Sequence, residues 1–175
     1  MVDVQIDILK TALDWAKAEM VSSVFFAAFG IGFLIASYGF WQFGKTDTAK
    51  AYVIPLIVTG TLLVILGVGL VIANQIRLGQ FPVSYTADAA DFLAMEIARS
   101  EKTIAGYGNA IFKFIPAIII ICAGLLMVMK APIWHASAVA VIAMMAVILL
   151  VDTNASVRME SYLADLQKAE QSAQK

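Results

Sequence analysis

The chain has 175 residues, a net charge of −1 from 12 Lys and Arg against 13 Asp and Glu, 61% hydrophobic residues and a mean hydropathy of +0.85. A water-soluble single domain could not bury that much apolar side chain, so the composition excludes an ordinary soluble fold. The absence of a basic excess argues against nucleic acid as a partner.

Residues 2–20 place Val2, Ile6, Leu9, Leu13, Ala16 and Met20 at alternating spacings of four and three, with Asp3, Asp7, Lys10, Asp14 and Lys17 elsewhere on the turn. This predicts an amphipathic helix over residues 1–20. Its apolar stripe of Ile6, Leu9 and Leu13 is a candidate surface for a sister copy or a partner. On that reading, the pair Leu9→Glu and Leu13→Glu disrupts assembly and leaves membrane insertion intact. Four acids against two lysines in the first 19 residues are unlike a secretory leader, so the segment is expected to be retained.

A first span is expected over residues 20–41, continuous with the amphipathic helix. Within it Ala28, Gly32 and Ala36 recur every fourth residue, a small-residue face on which another helix can pack closely. Residues 44–50 read as a short polar turn. The run Ala51–Ala73 then holds 23 residues without a charge, enough for about 34 Å of helix against a hydrocarbon core of roughly 30 Å. Pro55 falls near the start of this second span, and Gly60 and Gly67 offer a further packing face.

Gly79 and Pro82 mark residues 74–85 as a loop between halves, with a helix restarting near Asp88. Over residues 88–106 Ala90, Leu93, Ile97, Ser100 and Ile104 form a second amphipathic stripe, of which Leu93 and Ile97 are candidate contact residues. The third span, 110–129, carries Lys113 one turn in, expected to snorkel to the headgroups, and Pro116, expected to kink the helix by freeing the carbonyl of Phe112. Cys122 lies mid-span and reads as a small buried apolar side chain. A tight turn leads to the fourth span, 133–151, with the single histidine, His135, near the interface. Beyond Asp152 a helical tail over 152–172 keeps a stripe that includes Tyr162 and Leu166.

The expected fold is therefore an all-α integral membrane protein of four transmembrane helices with amphipathic cytoplasmic extensions, in one membrane domain. Ala16-Lys17-Ala18-Glu19 echoes Ala98-Arg99-Ser100-Glu101, and Asn74 with Arg77 echoes Asn154 with Arg158, so two parallel repeats are a further expectation. Nine of the twelve basic residues fall on the side bearing both termini, which the positive-inside rule places in the cytoplasm; the reading is of a bacterial inner membrane. Tyr38, Trp41, Tyr52 and Trp134 fall at the opposite boundary, as an aromatic belt would.

No catalytic, metal or cofactor constellation can be read, and no ionisable residue lies in the interior of the spans, away from their ends, to couple transport. Glu19, Glu101 and Asp152 are expected at the cytoplasmic boundary as a structural charge layer, with Lys113, Arg99 or Lys102 as counter-charges. The expected function is that of a non-enzymatic structural or complex-forming subunit, self-assembling or bound to a membrane partner, with the lipid bilayer around it. The alternative is a homo-oligomeric channel lined by Ser22, Ser23, Thr59, Thr61 or Asn74.

Overall fold

A computed structural model describes the backbone of residues 2–173 and the side chains of residues 8–173. These residues are almost wholly helical: α1 (Val2–Phe43), α2 (Asp47–Ala51), α3 (Val53–Ala87), α4 (Ala89–Asn109), a π-helical turn (Ala110–Phe114), α5 (Ile115–Val128) and α6 (Pro132–Ala173). Four continuous rods result, each long and apolar enough to cross a membrane: residues 8–43, 47–87, 89–128 and 132–173. The 42 residues of α6 extend about 63 Å, twice a hydrocarbon core of roughly 30 Å, so each rod has a stretch of about half its length to spend outside the bilayer.

The connections are short because their ends are capped. Gly44 N donates to Phe40 O at 3.0 Å to close α1, and Thr46 Oγ1 accepts from Ala49 N at 3.1 Å to start α2. Residues 47–50 of the expected polar turn are thus helical. Ser37 Oγ donates to Val53 O at 2.8 Å and Phe40 stacks on Tyr52 at 5.3 Å, which ties the end of α1 to the start of α3. At the turn between α5 and α6, His135 Nε2 bonds the carbonyl of Met129 across residues 129–131.

The expected loop at 74–85 is corrected: α3 runs through Gly79 and Pro82 to Ala87. Packing outweighs the two poor helix formers. Phe81 is buried and meets Phe92 edge-on at 5.5 Å, while Thr86 Oγ1 donates to Pro82 O at 2.6 Å. The break is a single residue, Asp88, whose carboxylate accepts from Ala90 N at 2.9 Å and Asp91 N at 3.0 Å and so caps α4. At Pro116 the ladder slips by one residue, with Ile115 N donating to Ala110 O across the π turn. A proline lacks the donor that the Phe112 carbonyl needs, and the wider turn absorbs the defect.

Two cores hold the rods together. In the end that carries both termini, Ile8, Ala12, Trp15, Phe81, Phe92, Leu93, Met159, Tyr162 and Leu166 form one buried cluster from all four rods. In the apolar half a smaller cluster joins Phe26, Leu63, Val147 and Val151 of α1, α3 and α6. There α5 packs along α6, with no comparable contact to α1 or α3 among the described residues.

The α1–α3 contact is the closest. A Cβ at Gly30 would lie 2.6 Å from Gly60 O, one at Gly60 would lie 2.8 Å from Gly30 O, and one at Gly67 would lie 2.6 Å from Ala27 N. Gly60 and Gly67 therefore sit in the helix contact. The α1 face opposite them is Ser23, Ala27, Gly30 and Ser37, not Ala28, Gly32 and Ala36, which are exposed; around Gly32 no other atom lies within 4 Å of a built Cβ. The physical reason is that every-fourth-residue spacing marks a possible contact face without saying which of several such faces a neighbour occupies.

Candidate functional site

The charged and aromatic groups buried between the rods form a layer at the terminal end. Asp88 starts α4 so that Phe92, Leu93, Glu96 and Ser100 face inward, and Glu96 is only 6% exposed. Arg99 grips Glu96 in bidentate fashion, Nε to Oε1 at 2.9 Å and Nη2 to Oε2 at 2.5 Å, and Tyr162 donates its hydroxyl to Glu96 Oε2 at 2.8 Å. Trp15 closes the ring: it stacks on Tyr162 at 5.1 Å and carries the Arg99 guanidinium 4.5 Å from its ring centroid. The charge on Glu96 is thereby neutralised by Arg99 and satisfied by a phenol, which makes its burial tolerable. Burial, followed by the Glu96 charge, raises the Tyr162 phenol above its ordinary range, so it stays protonated as the donor.

One turn closer to the apolar half, Arg158 Nη2 of α6 donates to Glu19 Oε2 of α1 at 2.9 Å, linking positions 139 residues apart. On α3, Asn74 is fully buried, donates Nδ2 to Leu70 O at 3.0 Å and accepts from Arg77 Nη1 at 2.8 Å. Arg77 also approaches the Trp15 ring, 5.8 Å from its centroid. Buried pairs of this kind contribute little net stability, because desolvation offsets the Coulomb attraction, yet breaking one is costly.

The residues expected in a boundary charge layer are placed and paired differently from one another. Glu19 is buried and pairs with Arg158; Asp152 is partly buried beside it; Glu101 and Lys113 are exposed, and Arg99 turns to Glu96 rather than to Glu101. The expected contact stripes are likewise turned inward. Leu93, Tyr162 and Leu166 are buried in the chain's own core, with Leu9, Leu13 and Ile97 packed against it. Ile6 lies outside the described side chains. The inward face of α1 is Ile8, Ala12, Trp15, Ala16, Glu19 and Ser23, rotated by about one residue from the expected stripe. Trp15, Glu96 and Arg77 are the members that periodicity missed; the usable signal was a tryptophan one turn before a glutamate at a span boundary.

Three of the five polar residues proposed for a pore, Ser23, Thr59 and Asn74, bond to backbone carbonyls of their own helices. Ser23 Oγ donates to Glu19 O at 2.8 Å and Thr59 Oγ1 to Pro55 O at 2.9 Å, while Thr61 is exposed. Cys122 is buried. Among the described residues no three of His, Cys, Asp and Glu come together as a ligand set for a metal ion. In the layer Glu96 is held by two partners, and the serine one turn on, Ser100, has no hydrogen-bond partner among the described residues.

The fold and this layer define an all-helical membrane protein whose rods are clamped at one end by buried charge. Compared with protein-family models, curated proteins and solved structures, the chain matches none.

Proposed function

We propose that the chain is a non-enzymatic integral membrane protein that serves as a structural or complex-forming subunit, self-assembling or bound to a membrane partner through its bilayer-embedded faces. The observation that carries this reading is where the apolar surface remains. The stripes at the terminal end are consumed in the chain's own core, whereas α5 packs on α6 and leaves Ile120, Ile121, Met127 and Val128 exposed. Ala28, Gly32 and Ala36 add a thin, uncovered side of α1 that a further helix could approach closely. In this proposal the spans are residues 20–41, 51–73, 110–129 and 133–151, the remaining parts of the rods are amphipathic extensions, and both termini are cytoplasmic in a bacterial inner membrane. The two-repeat reading is supported by a shared detail: Asn154 Nδ2 donates to Leu150 O at 2.8 Å as Asn74 Nδ2 does to Leu70 O.

The test is the mass of the nanodisc-embedded particle, with copurifying proteins identified from the same sample and disulfide cross-linking of Ile121→Cys. A defined oligomer or stoichiometric complex that cross-links through α5 is expected. A monomer without a partner overturns the proposal. A closed ring that conducts ions in a planar bilayer replaces it with the channel.

A further inference from the structure

A cavity of about 320 Å³ lies between α1 and α6 where the apolar stretch of both helices ends. Its walls are graded in polarity. Phe25 and Phe29 of α1 and Leu150 of α6 line the part nearer the apolar half, and Ser22, Asn154 and Arg158 line the part nearer the termini. The size is within the roughly 300–1,000 Å³ of small-molecule sites. Phe25, Phe29 and Leu150 are 55%, 39% and 57% exposed, so the apolar part is a trough open sideways to the bilayer.

We propose that this groove holds one phospholipid, its phosphodiester on Arg158 and an acyl chain along Phe25 and Phe29. Charge and position both favour that occupant. Arg158 is held by Glu19 through Nη2 alone, while its Nε has no hydrogen-bond partner among the described residues. That Nε is buried, so it is Nη1, on a side chain 29% exposed at the groove, that is left to meet a phosphate oxygen in a charge-assisted hydrogen bond. Asn154 Nδ2 is tied to Leu150 O, which keeps the amide folded against α6 and the mouth open. The cation stands where a headgroup phosphate lies and the trough where its chain lies, so a soluble phosphate would leave half of the site unfilled.

Native mass spectrometry of the full chain released from nanodiscs tests this, with dioleoylphosphatidylglycerol as the probe and a dioleoyl glucosyl-glycerol of the same chains, lacking phosphate, as competitor. The wild type is expected to retain one phosphatidylglycerol per chain. The double variant E19Q/R158Q, which leaves no lone buried charge, is expected to retain it about tenfold more weakly, the cost of one charge-assisted hydrogen bond. Ser22→Trp, which fills the polar part of the groove and leaves the ion pair intact, is expected to lose it too, with circular dichroism reporting that each variant is folded. The proposal is overturned if both variants retain lipid as the wild type does, if the phosphate-free lipid competes equally, or if millimolar inorganic phosphate displaces the bound lipid.

Discussion

Replacing Gly30 by alanine tests the α1–α3 contact directly. The new Cβ would lie 2.6 Å from Gly60 O and 2.8 Å from Val64 N, both backbone atoms that cannot swing aside. Overpacking against backbone atoms this close falls in the upper half of the usual range, about 2–3 kcal/mol, and the better helix propensity of alanine returns about 1 kcal/mol, which leaves a net loss of about 1–2 kcal/mol. For a chain of this length that corresponds to a fall of roughly 2–8 °C in Tm. Gly32→Ala is the control two residues away: with nothing within 4 Å of its Cβ, only the propensity gain remains, and Tm should hold or rise. The assay is thermal unfolding of both variants in the same detergent, followed by circular dichroism. Equal stability of G30A and wild type, or equal loss in G30A and G32A, would refute the face assigned to α1.

Three further outcomes follow from the buried layer. Tyr162→Phe removes the phenol from Glu96 and keeps the stack on Trp15, and should lower unfolding free energy by about 1.5–3 kcal/mol in denaturant titration. Arg158→Gln strands Glu19, 8% exposed, and should cost about 3–5 kcal/mol, whereas adding Glu19→Gln should recover most of it; additivity of the two losses would show that the pair is not coupled. The pair Leu9→Glu and Leu13→Glu should raise amide hydrogen exchange over residues 8–20 before it changes particle mass, because both side chains pack on the chain's own core.

Much of the architecture is legible in the sequence because it depends on local chemistry. A run of 23 uncharged residues is a membrane-length helix whatever its neighbours do, since lipid offers the backbone no other partner for its hydrogen bonds. The helix start at Asp88 and the disturbance before Pro116 are local too: one follows from a side chain that caps, the other from a missing amide hydrogen. The reach of α3 through Gly79 and Pro82 was hidden, because what keeps those residues helical is the packing of Phe81 and Tyr85 on Phe92, a residue of the next rod.

The inward faces belong to the tertiary structure for the same reason. Ala28, Gly32, Ala36 and Ser23, Ala27, Gly30 are both thin faces of one helix, and only the position of α3 selects between them. The stripes of Leu93, Tyr162 and Leu166 required partners, but their spacing could not say that each is the partner of the others. The ring of Trp15, Tyr162, Glu96 and Arg99 lay furthest from sequence reasoning, since Glu96 and Arg99 are neighbours on one helix but two further rods must align before the phenol of Tyr162 and the indole of Trp15 make their burial tolerable. The sequence by itself determined four membrane-length helices and their order; which sides of them meet was decided by burial and pairing between residues far apart in the chain.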